Sequence, residues 1–180
     1  IYELVEYCSS IGLKPTLITN AIVLADEDKC KRYKDAGIDD FLISVHGIGE
    51  AFDEIVGLRR GSERQLQGLR NLQKLDITFR FNTTLTTQAL SQLEAISTIA
   101  IETGARATNF ITFNPFADQQ GQERSKDGVP RYEEIKETLA GPARKLEEAG
   151  VEVNVRYLPR CMLSEEFRKN IYNFQQLPYD

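Results

Sequence analysis

The sequence predicts an α/β protein in which short strands alternate with helices and form one parallel sheet. Helical and strand-like hydrophobic patterns alternate along the whole chain. At four similar joints between a helical pattern and the following strand there is a glycine, the residue that most readily adopts the left-handed conformation at a helix C-terminus. Such repetition favours βαβ units and therefore parallel strands. The joint glycines are Gly12, Gly37, Gly104 and Gly150.

The composition is that of one ordinary globular domain, and it excludes several classes of function. The chain has 180 residues, of which 41% are hydrophobic and 27% charged. It contains no run near the roughly 20 apolar residues that cross a bilayer. The net charge of −5 argues against an extensive nucleic-acid footprint. The three cysteines are too sparse for a zinc or disulfide framework, so we expect a cytoplasmic protein without membrane contacts.

Five short runs rich in β-branched and apolar residues are predicted to be the strands. Such near-continuous apolar runs are typical of sheets that helices cover. In the third run Arg80 and Asn82 share one parity, whereas Phe79, Phe81 and Thr83 share the other, which predicts two chemically different faces. The runs span residues 15–20, 41–46, 77–85, 108–113 and 151–157.

Amphipathic patterns predict the helices between these strands. The helix at 62–75 is expected to begin with a capping box of Ser62 and Gln65. The helix at 131–149 is expected to bend at Gly141-Pro142. A doubly wound sheet and part of a β/α barrel both fit this alternation. Leucines at 66, 69, 72 and 75 mark one face of the helix at 62–75, and the remaining helices are predicted at 1–10, 26–36, 88–103 and 164–174.

Polar side chains recur where the predicted strands end. If all strands are parallel, these side chains lie on one rim, the edge at which such sheets bind ligands. Hydroxyls, amides and arginines suit a polar ligand that carries a carboxylate or a ribose. The same serines, threonines and asparagines could instead form turns, and His46 could be structural. Arg80 inside a strand requires an anion or several acceptors.

Four segments, taken in order, resemble the radical SAM superfamily. They are LITNAIVL, AGIDDFLISVHG, FDEIVGLRRGSERQLQGLRNL and FRFNTTLT, and the match runs from about Thr16 to Phe116. The resemblance implies an N-terminally truncated, partial parallel β/α barrel of the TIM-barrel-like radical SAM core. Residues 1–160 would supply the barrel from its third strand onward, and residues 161–180 a C-terminal helical extension of the same domain.

The resemblance also implies the chemistry. Such enzymes reductively cleave S-adenosyl-L-methionine with a [4Fe-4S] cluster, which gives a 5′-deoxyadenosyl radical that abstracts hydrogen from a substrate, here unknown. An electron donor such as flavodoxin or ferredoxin is implied. The C-x3-C-x2-C cluster motif and the GGE segment of the family would lie upstream of Ile1. We therefore expect a fragment that is inactive alone and that contributes part of the cofactor and substrate site without metal ligands.

Residues are assigned to the cofactor site by the same resemblance. Two positions depart from the family pattern, because Ala21 replaces a glycine and Phe52 stands where a histidine is common. Arg59 could serve in place of Arg60, and Cys161 is a hypothetical ligand of an auxiliary cluster. The predicted cofactor-binding residues are Thr19, Asn20, Ser44, His46, Arg60, Asn82 and Asn114.

Two other functions stay open from the residues alone. An ordinary β/α-barrel lyase or isomerase would use a lysine or a carboxylate at a strand end, and the predicted strand ends show no such lysine. A non-catalytic flavodoxin-like module would bind a partner through an exposed face.

Overall fold

The strands form a single parallel sheet whose spatial order follows the chain. The structure is a computed structural model that describes residues 1–113 and 128–172. Each strand pairs with the next one along the sequence, as in a β/α barrel, whereas a doubly wound sheet reverses its order. The predicted partial barrel is confirmed, and the described strands leave it open. The strands are β1 (Thr16–Thr19), β2 (Asp40–Ser44), β3 (Phe79–Leu85), β4 (Ala107–Thr112) and β5 (Glu152–Arg156).

Helices connect the strands and cover one face of the sheet. All four predicted joint glycines have a positive φ, between 79° and 85°, as their position after a helix requires. The helices are α1 (Tyr2–Ser10), α2 (Glu27–Asp35), α3 (Glu50–Val56), α4 (Gly61–Lys74), α5 (Thr87–Leu90), α6 (Leu93–Thr103) and α7 (Tyr132–Glu148), with short 3-10 helices at Ile22–Ala25, Arg160–Met162 and Glu165–Asn170.

Some predicted helices differ from the observed ones. The single helix expected at 88–103 is divided into α5 and α6 at residues 91 and 92, where the Ser91 hydroxyl donates to the Gln88 carbonyl. Helix α3 was missed because it is short and lies between left-handed glycines at 49 and 57. The last predicted helix is a 3-10 helix, after which Ile171 pairs with Val155 beside β5. Helix α7 continues through Pro142.

The sheet has one apolar face and one polar face because side chains alternate along each strand. Phe41, Ile43, Phe81 and Phe110 are at most 1% exposed and pack beneath the helices. The opposite, inner face is lined mainly by polar and charged side chains. The parity predicted for β3 is confirmed, since Phe79, Phe81 and Thr83 are buried whereas Arg80 and Asn82 are only partly buried.

Helix α4 packs directly on the backbone of the 3-10 helix that follows β1. A Cβ atom on Gly68 would lie 2.4 Å from the Ala21 carbonyl oxygen, so only glycine fits there. The Asn71 amide donates hydrogen bonds to the carbonyls of Leu24 at 2.9 Å and Ala25 at 3.1 Å. The helix is therefore held to the end of β1 by backbone contacts as well as by leucines.

The start of α4 is not the predicted capping box. The helix begins at Gly61, and Asp53 accepts hydrogen bonds from the backbone N–H groups of Arg60 at 2.6 Å and Ser62 at 2.7 Å. Gln65 is only 2% exposed, and its side chain turns toward the sheet. Of the predicted leucine face, residues 69 and 72 are buried, whereas residues 66 and 75 are only partly so.

An ion pair joins two neighbouring strands on the inner face. Arg80 donates from Nε to Asp40 Oδ2 at 2.7 Å and from a terminal nitrogen to Oδ1 at 3.3 Å. The Asp40 side chain is 6% exposed and that of Arg80 19%. The anion that a strand-borne arginine requires is thus supplied by the adjacent strand.

We expect Asp40→Asn to lower the free energy of unfolding by about 3 kcal/mol, because it leaves a largely buried guanidinium unpaired. Adding Arg80→Met should recover part of that loss. The measurement is a double-mutant cycle by urea unfolding, and the exposed pair Arg144–Glu166 serves as a control whose coupling should stay under about 1 kcal/mol. Equal coupling free energies in the two pairs would contradict the expectation that the buried Asp40–Arg80 pair stabilises the fold more than an exposed pair does.

We expect Gly68→Ala to lower the free energy of unfolding by about 1–3 kcal/mol, because the added methyl group forces α4 away from Ala21. Gly141→Ala is the matched control, since Gly141 lies at an exposed site in α7, where an added Cβ would lie 3.2 Å from a carboxylate oxygen at the end of the flexible Glu94 side chain. In urea unfolding of the two variants, the free energy of unfolding of Gly141→Ala should therefore change by less than about 1 kcal/mol. A stabilising Gly68→Ala would refute the close packing described for α4.

Candidate functional site

The inner face of the sheet encloses a polar hollow of about 470 Å³. Basic side chains outnumber acidic ones in its lining, so the hollow favours a ligand that carries negative charge. Leu42 and Ile111 add apolar surface. The basic side chains are Lys14, Arg80, Arg106 and Arg156, and the acidic ones are Asp39 and Asp40.

A row of polar side chains crosses the inner face from β2 to β5. Ser44, Asn82, Asn109 and Asn154 are register partners on four successive strands. With strands roughly 4.8 Å apart, the row is about 14 Å long. This length is suited to a ligand with several hydrogen-bonding groups, such as a nucleoside or an amino acid. We call these four residues the polar row.

Two members of the polar row are buried, and one of them lacks a hydrogen-bond partner for its amide oxygen. Asn109 is 8% exposed and Asn154 only 3%. The Asn154 amide donates to Glu152 Oε1 at 2.9 Å, but its own oxygen has no partner among the described residues. Buried amide groups of this kind are normally bonded. This unmet acceptor on the inner face fits a polar ligand that donates a hydrogen bond.

The end of β1 is a tight turn closed by its own side chains. Thr19 Oγ1 accepts from the Ala21 N–H at 3.2 Å, and Asn20 Oδ1 accepts from the Ile22 N–H at 3.2 Å. Ala21 adopts a φ of 61° although it has a methyl group, at a cost of roughly 1 kcal/mol. The chain therefore achieves with alanine the left-handed turn for which glycine was expected.

His46 links the end of β2 to β3. Its Nδ1 accepts a hydrogen bond from the Thr84 N–H at 3.1 Å, and the Thr83 hydroxyl donates to the Val45 carbonyl at 2.7 Å. Burial lowers the pKa of His46 below its usual 6.5, because the imidazolium would lose hydration. The neutral ring holds the two strand ends together.

Arg60 lies apart from the hollow. It is the N-terminal boundary residue of α4, with a left-handed φ of 62°. Its side chain is 71% exposed, and its Nε donates to Glu63 at 2.8 Å. Arg60 is not among the residues that line the hollow.

A second cleft, of about 400 Å³, opens beside the ends of β4 and β5 at the start of α7. Tyr157 lines it, with a left-handed φ of 63° and an exposure of 56%. The cleft also contains Phe113 and Tyr132. These aromatic rings lie at the same end of the sheet as the predicted polar rim.

The structure brings together only some of the predicted site residues. Ser44 and Asn82 are direct neighbours in the polar row. Of the six predicted residues that the structure describes, only Asn82 lines the hollow, which lies mainly toward the amino ends of the strands. Thr19 has the parity of the helix-covered face, since it pairs with Ile43. No finding tests the cofactor-binding roles, which stay predictions. The other assigned residues are Asn20 in the β1 turn, His46 at the β2–β3 link, Arg60 outside the hollow, and Asn114, which lies outside the described residues.

Two residues of the inner face were missed by the sequence analysis, as was one helix residue that contacts the strand ends. Asn109 and Asn154 have the parity of Asn82 within their strands, so the alternation rule could have identified them. Gln65 gave no such signal, because its position on a helix resembled a cap.

The cysteines of the described chain do not fit an iron–sulfur cluster. Cys30 is buried, its thiol donates to the Leu24 carbonyl, and burial raises its pKa to about 11, so it stays protonated. Cys8 is partly buried and Cys161 exposed. Within residues 1–113 and 128–172, no three His, Cys, Asp or Glu side chains are grouped as a metal site. The auxiliary-ligand role of Cys161 stays a prediction.

No helix in the described ranges is both long and apolar enough to span a membrane.

Two known proteins resemble parts of this chain in sequence. An AdoMet-dependent heme synthase of Methanosarcina barkeri is 29% identical over 136 residues, which are 75% of this chain and 38% of that protein. A PqqA peptide cyclase of Bradyrhizobium diazoefficiens is 31% identical over 106 residues, 58% of this chain and 28% of that protein. No protein-family model matches the chain.

A solved structure shares the fold of this chain. A domain of a pyruvate-formate lyase-activating enzyme from Bacteroides vulgatus superposes with a TM-score of 0.65 at 10% identity, over 86% of this chain and 88% of that one. These relatives are radical SAM enzymes, and the resemblance predicted from the sequence is confirmed. The chain has the fold of a radical SAM core and spans less than half the length of the two relatives.

We expect the stability contributed by His46 to disappear on acidification. Because the pKa of His46 is lowered in the folded state, the unfolded chain binds a proton first as the pH falls through 6.5. The free energy of unfolding then falls by at most about 1.4 kcal/mol per pH unit. His46→Asn keeps an acceptor for the Thr84 N–H but does not titrate. The difference in urea unfolding between the two proteins should narrow between about pH 8 and about pH 5.5, and a constant difference would contradict the assignment.

Proposed function

We propose that this chain forms part of the cofactor and substrate site of a radical SAM enzyme. The carrying observation is the polar row, which crosses the inner face of a radical SAM-type sheet and contains one buried amide oxygen, that of Asn154, without a partner among the described residues. Because the chain spans only 38% and 28% of two radical SAM relatives, the activity belongs to the natural polypeptide that carries it.

The polar row supports a division of roles among its residues. The Ser44 hydroxyl and the Asn82 amide, adjacent on β2 and β3, would bind the ribose or the carboxylate of S-adenosylmethionine. Asn20, Thr19 and His46 would shape the rim around it through their turn and strand contacts. When cleaved reductively, this cofactor supplies a 5′-deoxyadenosyl radical that abstracts hydrogen from a substrate.

The remaining parts of the machinery lie outside the described residues. The [4Fe-4S] cluster would be held by cysteines elsewhere in the natural polypeptide, since Cys30 is a buried, protonated thiol. A flavodoxin or ferredoxin in the cytoplasm would supply the electron. Arg60 would contribute only from outside the hollow, through its exposed side chain. Asn114 keeps its proposed role in cofactor binding.

The chain behaves as one domain in this proposal. Residues 1–160 would form the partial barrel and 161–180 its C-terminal extension. Leu163 and Phe167 support a single domain, because their side chains are only 2% and 3% exposed and belong to the same hydrophobic core as the strands.

The proposal predicts that the natural polypeptide, purified without oxygen, binds S-adenosylmethionine and releases 5′-deoxyadenosine after reduction. Ser44→Ala should weaken cofactor binding roughly fivefold to tenfold, the effect of one lost hydrogen bond of about 1 kcal/mol. The measurements are calorimetric binding and chromatography of the nucleoside product.

Ser91→Ala is the matched control, because Ser91 is exposed at the end of α5 and its hydroxyl donates to the Gln88 carbonyl of that helix. It should bind the cofactor like the unmodified protein. Absence of iron, cofactor binding and nucleoside release in the unmodified protein would overturn the proposed function. Unchanged binding in Ser44→Ala would remove only the role given to that serine.

A further inference from the structure

One buried amide bonds to both strand ends that carry predicted cofactor residues. Gln65 on α4 is 2% exposed. Its Nε2 donates to the carbonyl oxygens of Asn20 and Ser44, each at 3.0 Å. A glutamine amide has two protons, so this one side chain can satisfy both carbonyls at once.

These hydrogen bonds begin where the sheet ladder stops. The last register pair of β1 and β2 is Thr19 with Ile43. Asn20 and Ser44 are the next residues of the two strands, and their carbonyls are joined through Gln65. The spacing of the two strand ends is therefore set by a side chain from a helix.

Helix α4 is well placed to fix that spacing. Its first turn is held by Asp53, whose Oδ1 accepts from the Ser62 N–H at 2.7 Å. One turn after Gln65, Gly68 leaves no room for a Cβ against Ala21. Asn71, one turn further on, bonds to the carbonyls of residues 24 and 25. Gln65 is thus the first of three contacts, three residues apart, between α4 and the backbone around the end of β1.

We propose that Gln65 is a positioning residue for cofactor binding. It holds the backbones of Asn20 and Ser44 at a fixed separation, and so places the Ser44 hydroxyl beside Asn82 in the polar row. This inference rests on the proposed function, because Ser44 matters only if the inner face binds S-adenosylmethionine. Its physical basis is that small displacements of binding groups reduce affinity and rate steeply.

The test uses three variants of the natural polypeptide with its iron–sulfur cluster reconstituted. Gln65→Met keeps the length and volume of the side chain and removes both donors. Gln65→Glu keeps the shape, but its ionised carboxylate donates nothing to the two carbonyls. Gln73→Met is the matched control on the same helix, because Gln73 donates one hydrogen bond to the Glu102 carbonyl at 3.1 Å, away from the rim.

The readout is the dissociation constant for S-adenosylmethionine, measured well below the melting temperature of every variant. We expect Gln65→Met to weaken binding about tenfold, corresponding to about 1.4 kcal/mol. Gln73→Met should bind like the unmodified protein. Iron content should be equal in all of them.

Gln65→Glu gives a signature that general destabilisation does not produce. At about pH 8 the introduced carboxylate is ionised and cannot donate a hydrogen bond to either carbonyl. Cofactor binding should then be at least as weak as in Gln65→Met. Burial raises the pKa of such a carboxyl, and on acidification the protonated group regains one donor. The affinity of Gln65→Glu for S-adenosylmethionine, relative to that of the unmodified protein, should therefore recover towards about pH 6. The relative affinity of Gln65→Met should not change with pH.

The outcomes separate the two proposals. If the unmodified protein binds the cofactor and Gln65→Met binds within about twofold of it, the positioning role is overturned and the proposed function stands. If the unmodified protein does not bind the cofactor, the proposed function fails and the inference fails with it. If Gln65→Met does not fold, the pH dependence of cofactor binding by Gln65→Glu decides alone. An affinity relative to the unmodified protein that does not change with pH would then overturn the positioning role of Gln65.

Discussion

The organisation of the rim depends on the carbonyl groups at the end of β1, which need donors that the sheet does not supply. Helix α4 provides them through the amides of Gln65 and Asn71, and Gly68 allows the helix to approach closely enough. Because the same Gln65 amide reaches Ser44, the position of α4 also fixes the end of β2. The first two strand ends and this helix therefore form one hydrogen-bonded unit.

The second organising constraint is the alternation of side chains along parallel strands. The helix-covered face contains phenylalanines and branched aliphatic side chains, and it provides the hydrophobic driving force. On the inner face, burial leaves polar groups that require partners. Asp40 and Arg80 satisfy each other, whereas the Asn154 oxygen remains unbonded within the described chain. On the concave side, this oxygen is a group to which a ligand or further protein would bond.

Much of the fold could be predicted because it follows from local patterns. The strand positions, the glycine joints and the parity of Phe81 and Asn82 all come from periodicity and backbone preference. The bonds of Gln65 could not be predicted, because an amide on a helix carries no sign of which distant carbonyl it will meet. The same holds for Arg60, whose turn is fixed by Asp53 and whose side chain points to Glu63 instead of the hollow. Tertiary contacts decided these cases, and local sequence does not encode them.

The separation of the two faces has an evolutionary consequence. A substitution on the concave side, away from the Asp40–Arg80 ion pair that stabilises the fold, changes which groups a ligand meets, yet it leaves untouched the aromatic and aliphatic layer on which folding depends. Because the two faces alternate along each strand, natural selection can alter specificity through one set of residues and stability through the other, almost independently. A heme synthase and a peptide cyclase, whose names denote quite different reactions, both share recognisable sequence with this chain. An architecture with such independent positions is well suited to diversify its chemistry without the intermediate loss of a folded state.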